Sequence, residues 1–304
     1  MRSGFEVLNA GILATIQDSG RKGLGSIGVS EAGAMDEHAF SWLNRLLGNS
    51  YGANALEIVF GGLKLKAKGS TYFALSGAQV DVTLNNKPIE IWKTYKINDG
   101  DILNFGFATN GARVYLGVAG GFAVEPEFGS TSVSLKEGLG GKSLKKGDFL
   151  AFTCKELQEI RKLMLRYKPD FNDTLTLRIV KGYQWDLFEK EQRDKFFSSE
   201  YTVTSQNDRM GYRLSGEKIF SASQGIISEP IAYGAVQIPS HGEPIVLLKE
   251  RQTIGGYPKI GSVIPVDCFA LAQRKQGSKV RFEFVSLNEA RGLCQEFYRF
   301  FKEI

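Results

Sequence analysis

Cysteine and histidine are scarce in this chain, with 3 Cys and 2 His among 304 residues. Cys154, Cys268 and Cys294 are odd in number and share no C-x-x-C spacing, which argues against a disulfide framework and against cysteine-bound zinc. They read as reduced, half-buried core residues. With only His38 and His241, a histidine-rich metal centre is excluded and a Ser–His–Asp arrangement would have to use one of the two, so no metal site is expected. No apolar run of about 18 residues occurs, and residues 1–9 (MRSGFEVLN) lack the apolar centre of a signal peptide. The chain therefore reads as cytoplasmic, with no membrane partner. Charge of one sign is not concentrated either: 38 Lys+Arg stand against 33 Asp+Glu, and the densest basic group is Lys142, Lys145 and Lys146. That dispersal speaks against nucleic acid as a partner. Glycine, by contrast, is plentiful at 35 residues, in a chain that is 42% hydrophobic and 23% charged. This is globular composition, long enough for one large or two modest domains.

Period-2 alternation dominates. Val80, Val82 and Leu84 share one face, a turn follows at Asn85-Asn86-Lys87-Pro88, and Ile89–Trp92 returns as the second arm of a hairpin. The same period recurs at Thr174–Val180, Tyr201–Thr204, Ile245–Leu248 and Val280–Val285. Short spacing between turn signals favours barrel-like β domains with few helices over a doubly wound α/β fold. Asn98–Phe105 and Lys145–Phe152 share a spelling, each a glycine turn followed by a strand. Three helices are expected. Asp36 caps one that carries Ala39, Phe40, Leu43, Leu46 and Leu47 and ends at Gly48. Lys155–Tyr167 is the expected domain connector, stopping before Pro169. Asn288–Lys302 is the last, burying Leu293, Phe297 and Phe300.

Two glycine motifs do not carry the chemistry they resemble. Gly23–Gly28 spells G-x-G-x-x-G, but the next helix begins only at Asp36, so no helix N-terminus meets a pyrophosphate. Gly141-Lys142-Ser143 lacks the upstream glycine of a P-loop.

Three clusters point to a polar pocket. In the first, Asp18 and Arg21 sit in a glycine-rich loop and can present a carboxylate and a guanidinium to a ligand, or else lock the loop by pairing with each other or with backbone. The second, Ser205–Leu214, repeats an Asp followed by Arg and Gly, at Asp208, Arg209 and Gly211. The third runs from Gly234 to Ile260: a buried strand, Ile245–Leu248, delivers polar residues to a Gly255-Gly256 turn. There Gln237, Gln252 and Thr253 can read an amide or carboxylate, while Tyr257 adds a face and Lys259 a charge. The structural alternative is a surface loop with a solvated lysine. His241 reads as a loop residue.

The order T-I-Q-D-S-G-R-x-G, G-A-M-D, N-R-L-L-G-N, A-G-G-F, S-x-x-D-R-M-G-Y-R-L and P-I-V-L-L-x-x-x-Q-T-x-G-G-Y-P-K-I, from Thr15 to about Phe284, resembles the biotin-dependent carboxyltransferase family. That family includes a subunit of 5-oxoprolinase, the allophanate hydrolase subunit 2-like proteins and a sporulation regulator. The resemblance implies two cyclophilin-like β-barrel domains, expected at 1–165 and 166–304, and partnership with a smaller sister subunit and a third subunit. It implies ATP-dependent opening of 5-oxoproline to glutamate, with ATP and Mg²⁺ as cofactors and this chain as one subunit. Alternatives are a regulatory binding protein that antagonises a histidine-kinase inhibitor, and the carboxyltransferase component of a biotin-dependent urea or amide carboxylase. The chain has no biotin-accepting Met-Lys-Met and no ATP-grasp portion. On the matching motifs, Arg21 or Arg209 would take the substrate carboxylate and Gln237 and Gln252 the lactam. Asp18 or Asp208 would orient groups or move a proton, and Lys259 would lie near phosphate. The chain departs from the family pattern at Lys22, where Pro is usual, in Gly129–Ser132, which lacks an Arg, at Pro230 in place of Gly, and at Arg251, where Asp often stands. Specificity differs if the missing Arg or Asp touches substrate.

Overall fold

The computed structural model of the protein describes residues 3–302. They form two compact units: one holds the described part of Met1–Arg21 with Ala32–Asp170, the other Lys22–Glu31 with the described part of Phe171–Ile304. The long stretch of the second unit thus begins at Phe171, and Lys22–Glu31 groups with it and not with its sequence neighbours.

The first unit contains β1 (Gly4–Ala10), β2 (Leu13–Gln17), α1 (Glu37–Leu47), β3 (Ala55–Val59), β4 (Leu63–Lys68), β5 (Thr71–Leu84), β6 (Lys87–Ile89), β7 (Thr94–Ile97), β8 (Ile102–Val118) and β9 (Phe149–Ala151). The nine strands make one sheet, ordered β2-β3-β8-β4-β1-β9, with β5 pairing β6, β7 and β8. The long pair β5 and β8 slips register between Gly77 and Val82. Such bulges bend a sheet, and this one curls around Phe5, Val7, Leu56, Ile58, Leu65, Phe73, Leu75, Val114 and Leu116, all buried. The hairpin turn is tighter than expected: Asn85 and Asn86 alone take φ of 52° and 63°, the left-handed pair of a two-residue turn. Pro88 lies in β6, opposite Thr83.

The two similarly spelled turns are built alike. Asp101 Oδ2 accepts from Asn98 N at 2.7 Å and Asp148 Oδ2 from Lys145 N at 2.7 Å. Helix α1 forms as expected: Asp36 Oδ1 accepts from Ala39 N at 3.1 Å, and Gly48 closes it in the left-handed conformation. Its Leu43 and Leu47 lie over Gly117 of β8, where a Cβ would come within 3.0 Å of both side chains. The missing side chain is what lets the helix settle on the sheet.

The expected connector helix at Lys155–Tyr167 does not form; only Leu165–Tyr167 makes a short 3₁₀ turn. The segment runs extended beside β7, with Thr94 N donating to Arg161 O and Leu163 N to Trp92 O, both at 2.9 Å. Leu163 is buried in the α1 cluster while Ile160 and Leu165 face solvent. Helical spacing is present, but pairing with an open strand edge wins over weak local propensity.

The second unit contains β10 (Leu175–Lys181), α2 (Lys190–Ser198), β11 (Glu200–Asn207), β12 (Gly211–Ser215), β13 (Glu229–Pro230), β14 (Ala235–Gln237), β15 (Ile245–Leu247), β16 (Ile254–Gly255), β17 (Lys259–Val263), α3 (Pro265–Leu271), β18 (Lys279–Phe284) and α4 (Leu287–Lys302). Seven strands close into a barrel, β10-β17-β14-β15-β12-β11-β18, sealed by parallel pairing of β10 with β18. The mainly β, barrel-like fold read from the sequence is therefore the one adopted, with the closed barrel in this unit. Leu177, Ile179, Tyr212, Leu214, Val236, Val246, Val280 and Phe282 fill the interior, all buried. The β13–β16 ribbon is a separate two-stranded sheet. It lies against the outer face of β14, where Ile231 packs on Ala235, Ile245 and Leu247. Helix α4 packs on α3 through Phe297 and Phe269. It buries Phe301 rather than Phe300, which is 45% exposed.

The three cysteines are free, but Cys154 is exposed, Cys268 buried and Cys294 between, so the half-buried expectation fits only the last. Among the described residues, no helix is long and apolar enough to cross a membrane.

Candidate functional site

The Asp18 loop is a closed polar knot. Strand β2 ends at buried Gln17, whose amide donates to Val133 O at 2.9 Å. The next residue, Asp18, accepts from Ser130 Oγ, Ser132 Oγ and Thr131 N at 2.6 Å, from Gly20 N at 2.8 Å and from Thr131 Oγ1 at 3.1 Å. Burial alone would raise this carboxyl. The bonds from Ser130, Ser132, Gly20 and Thr131 outweigh it and hold the group below its ordinary value. Arg21 is 2% exposed and donates to the carbonyls of Glu127 and Ser132. No ion pair joins Asp18 to Arg21 among the described residues; both hold the 127–132 segment against β2. The reading in which they lock the loop through backbone and hydroxyl groups matches this geometry.

A second polar network, not anticipated from sequence, lies behind the loop. Glu57, buried on β3, accepts from Tyr115 Oη at 2.6 Å and from Met35 N at 2.9 Å, with Arg113 Nε 3.6 Å away. Burial, then the charges of Glu57 and Asp36, push the Tyr115 hydroxyl well above its ordinary value. The signal was a charged residue inside the apolar strand Ala-Leu-Glu-Ile-Val, paired across to Tyr115 of β8.

The second and third clusters converge on the outer face of the barrel. Arg213 of β12, Ile245 of β15 and Gln237 of β14 stand opposite one another across three neighbouring strands, so their side chains leave the same face. Above them lies a cavity of about 480 Å³ whose walls include Asn207, Asp208, Arg213, Gln237, Gln252 and Tyr257. Gln237 is 3% exposed and its Nε2 has no hydrogen-bond partner. A Cβ on Gly255 would come within 3.0 Å of that nitrogen, so the β16 glycine leaves room for the amide. Asp208 folds back on its own turn, Oδ1 accepting from Met210 N at 2.8 Å and Gly211 N at 3.2 Å. The loose echo between the two Asp/Arg/Gly segments is thus a shared habit of capping a turn.

The remaining expected residues lie off this cavity. Arg209 pairs with Glu250 at 2.5 Å, with side chains 11% and 8% exposed. Thr253 accepts from Ile231 N through its carbonyl at 3.1 Å. Lys259 is buried and binds Glu229 at 2.9 Å, and Gln184 Nε2 donates to the same Glu229 oxygen at 3.0 Å. The Lys259 hydrogen bond holds the Glu229 carboxyl below its ordinary value against slight burial. Lys259 and Glu229 border a different cavity, about 550 Å³, with Val180, Ala235, Phe284 and Leu287. Sequence reasoning missed Arg213 and Asn207 as wall residues. The available signal was alternation along β12, where buried Tyr212 and Leu214 leave Arg213 on the opposite face.

His241 is exposed in its loop, and Gly25–Ile27 is a 3₁₀ turn with no following helix. No group of three or more His, Cys, Asp or Glu suited to a metal ion occurs among the described residues.

Comparison with known proteins gives one family, the carboxyltransferase domain, subdomains A and B, matched over residues 27–284. Among curated proteins, a 5-oxoprolinase subunit of Escherichia coli is 34% identical over 99% of this chain and 97% of its own length. The protein of the same name from Haemophilus influenzae is 35% identical over 95% and 94%. Among solved structures, the K. lactis urea amidolyase superposes with a TM-score of 0.91 at 28% identity, covering 100% of this chain and 20% of the larger one.

Proposed function

Because this chain belongs to the carboxyltransferase-domain family of subdomains A and B, we propose that it is a subunit of an ATP-dependent 5-oxoprolinase, opening 5-oxoproline to glutamate together with a smaller sister subunit and a third subunit. The observation that carries this reading is the end-to-end match to two relatives named as subunits of 5-oxoprolinase, in which neither partner has a large unmatched portion. The reading places the complex in the cytoplasm, where ATP is available.

The outer-face cavity is the proposed substrate site. A lactam presents one carbonyl and one N–H, and the buried, unpartnered Gln237 Nε2 supplies a donor for that carbonyl. As the ring opens, negative charge grows on the carbonyl oxygen, and a preorganised donor stabilises it more than water does. Gln252 and Asp208 offer acceptors for the lactam N–H, and Tyr257, 46% exposed, stands at the wall. In this scheme Arg209, Thr253, Asp18 and Arg21 position segments and do not touch substrate.

ATP with Mg²⁺ would activate the carbonyl. The donor set of this chain does not fit that pair: Gly23–Gly28 opens no helix, no cluster of three acidic or histidine groups exists among the described residues, and Lys259 is neutralised by Glu229. On this reading the partner subunits carry the nucleotide.

The test is glutamate release from 5-oxoproline by this chain co-purified with its sister subunit and supplemented with the third. ATP-dependent release that stops when this chain is omitted supports the reading. A second reading, carboxyl transfer to a urea-like amide, is favoured by the superposition on urea amidolyase. It predicts no glutamate release and a biotinylated partner that co-purifies.

A further inference from the structure

We propose that Arg213 receives an anionic group of the substrate, so that the outer-face cavity selects a small amide carrying a carboxylate over a neutral one. This inference rests on the oxoprolinase reading. Of the three arginines in the first two clusters, the fold commits two elsewhere. Arg21 is buried against the carbonyls of Glu127 and Ser132, and Arg209 is held by Glu250. The Arg213 side chain is exposed on the cavity wall and engages no hydrogen bond or ion pair among the described residues. Among the described residues it is the one cation lining that cavity.

The strand register fixes where the anion would lie relative to the amide reader. Arg213 and Gln237 flank Ile245 on successive strands. Neighbouring strands are about 4.8 Å apart, which puts their main chains about 10 Å from each other. Both side chains project over an apolar floor made by Ile245 and Leu247. The space between guanidinium and amide suits a ligand whose carboxylate and carbonyl are a few bonds apart. Gln237 Nε2 supplies a donor for the carbonyl, and the guanidinium forms two parallel bonds to the carboxylate, a geometry that lysine cannot copy. Asp208, the one acidic residue of the lining, has Oδ1 held by its own turn, and its negative charge disfavours a carboxylate placed at the opposite end.

The experiment titrates the full chain with 5-oxoproline and with 2-pyrrolidinone, the same ring without the carboxylate, and follows KM in the assembled system. Expected is a wild-type preference for 5-oxoproline of roughly 10- to 100-fold, the range of charge-assisted hydrogen bonds. Arg213→Ala removes that preference, leaves 2-pyrrolidinone within about twofold and raises KM for 5-oxoproline by a similar factor; Arg213→Lys recovers part of it. Gln237→Ala weakens both ligands. Equal binding of the two ligands by the wild type, or an Arg213→Ala protein that keeps its preference, overturns the assignment while glutamate release leaves the oxoprolinase reading standing. A wild-type chain that binds neither ligand while the assembled system releases glutamate overturns it as well, by moving the site off this cavity. Absence of both binding and release removes the oxoprolinase reading and this inference together.

Discussion

Replacing Asp18 separates a structural knot from a catalytic group. Asp18 accepts five hydrogen bonds, two of them from the main-chain nitrogens of Gly20 and Thr131. In Asp18→Ala the three hydroxyl donors can swing toward other acceptors, but the two main-chain N–H groups cannot. Leaving a buried donor unmet costs about 1–3 kcal/mol. Since the site is only partly buried, we expect about 2–4 kcal/mol in total, a large share of the roughly 5–15 kcal/mol that folding leaves. Asp18→Asn keeps one acceptor but turns an amide toward donors, and should cost about half as much. The assay is urea unfolding followed by tryptophan fluorescence, since Trp42 and Trp92 lie in the first unit and Trp185 in the second. The first-unit transition should move to lower urea while the second stays. The carboxyl is held below its ordinary 3.8, so its contribution is complete above that pH and disappears as pH falls through the lower folded value. The gap between wild type and Asp18→Ala should close only in strong acid. An Asp18→Ala protein that unfolds at the wild-type midpoint yet loses turnover would refute this reasoning and make Asp18 a participant in the chemistry.

The Arg209–Glu250 pair makes a second case. Glu250→Met removes the carboxylate that lies 2.5 Å from a guanidinium 11% exposed and should destabilise by up to about 3–5 kcal/mol, whereas adding Arg209→Met to it should recover much of that loss; costs of Arg209→Met and Glu250→Met that add strictly in the double mutant would contradict the pairing. His38 gives a pH prediction. Burial lowers its pKa against the opposing charge of Asp36, and its Nε2 accepts from Trp42 Nε1 at 3.2 Å. The unfolded chain therefore binds a proton first, near pH 6.5, and stability falls as pH drops below that until the folded imidazole titrates. Thermal unfolding across pH 7.5 to 5 should show the loss and His38→Gln should lessen it; identical profiles would remove His38 from the account.

Where local chemistry decides, the sequence is a sufficient guide. Asp36 and Gly48 bound α1, and Asn85-Asn86 closes its hairpin, because caps and left-handed turns act over a few residues. Lys155–Tyr167 reads as a helix because its competitor, the edge beside β7, comes from 67 residues upstream, as Thr94 pairs with Arg161, and leaves no local mark. The site divides in the same way. Gln237, Gln252, Tyr257 and Asp208 follow from polar residues at strand ends and do line one cavity. Arginine choice is not legible: Arg209 and Arg213 stand four apart, and only the partner Glu250, 41 residues on, shows which one is occupied. A spacing rule carries no information about a partner delivered by another strand.

The detour of Lys22–Glu31 has a consequence for synthesis of the chain. A ribosome works from the N-terminus, so these residues emerge long before Phe171, the start of the remainder of their unit. Until β18 emerges, these ten residues wait for a barrel that is not yet sealed. The second unit cannot be completed on a nascent chain until β18 has left the exit tunnel. A gene fragment cut at Asp170 would therefore carry ten residues of the wrong domain, and one begun at Phe171 would lack them.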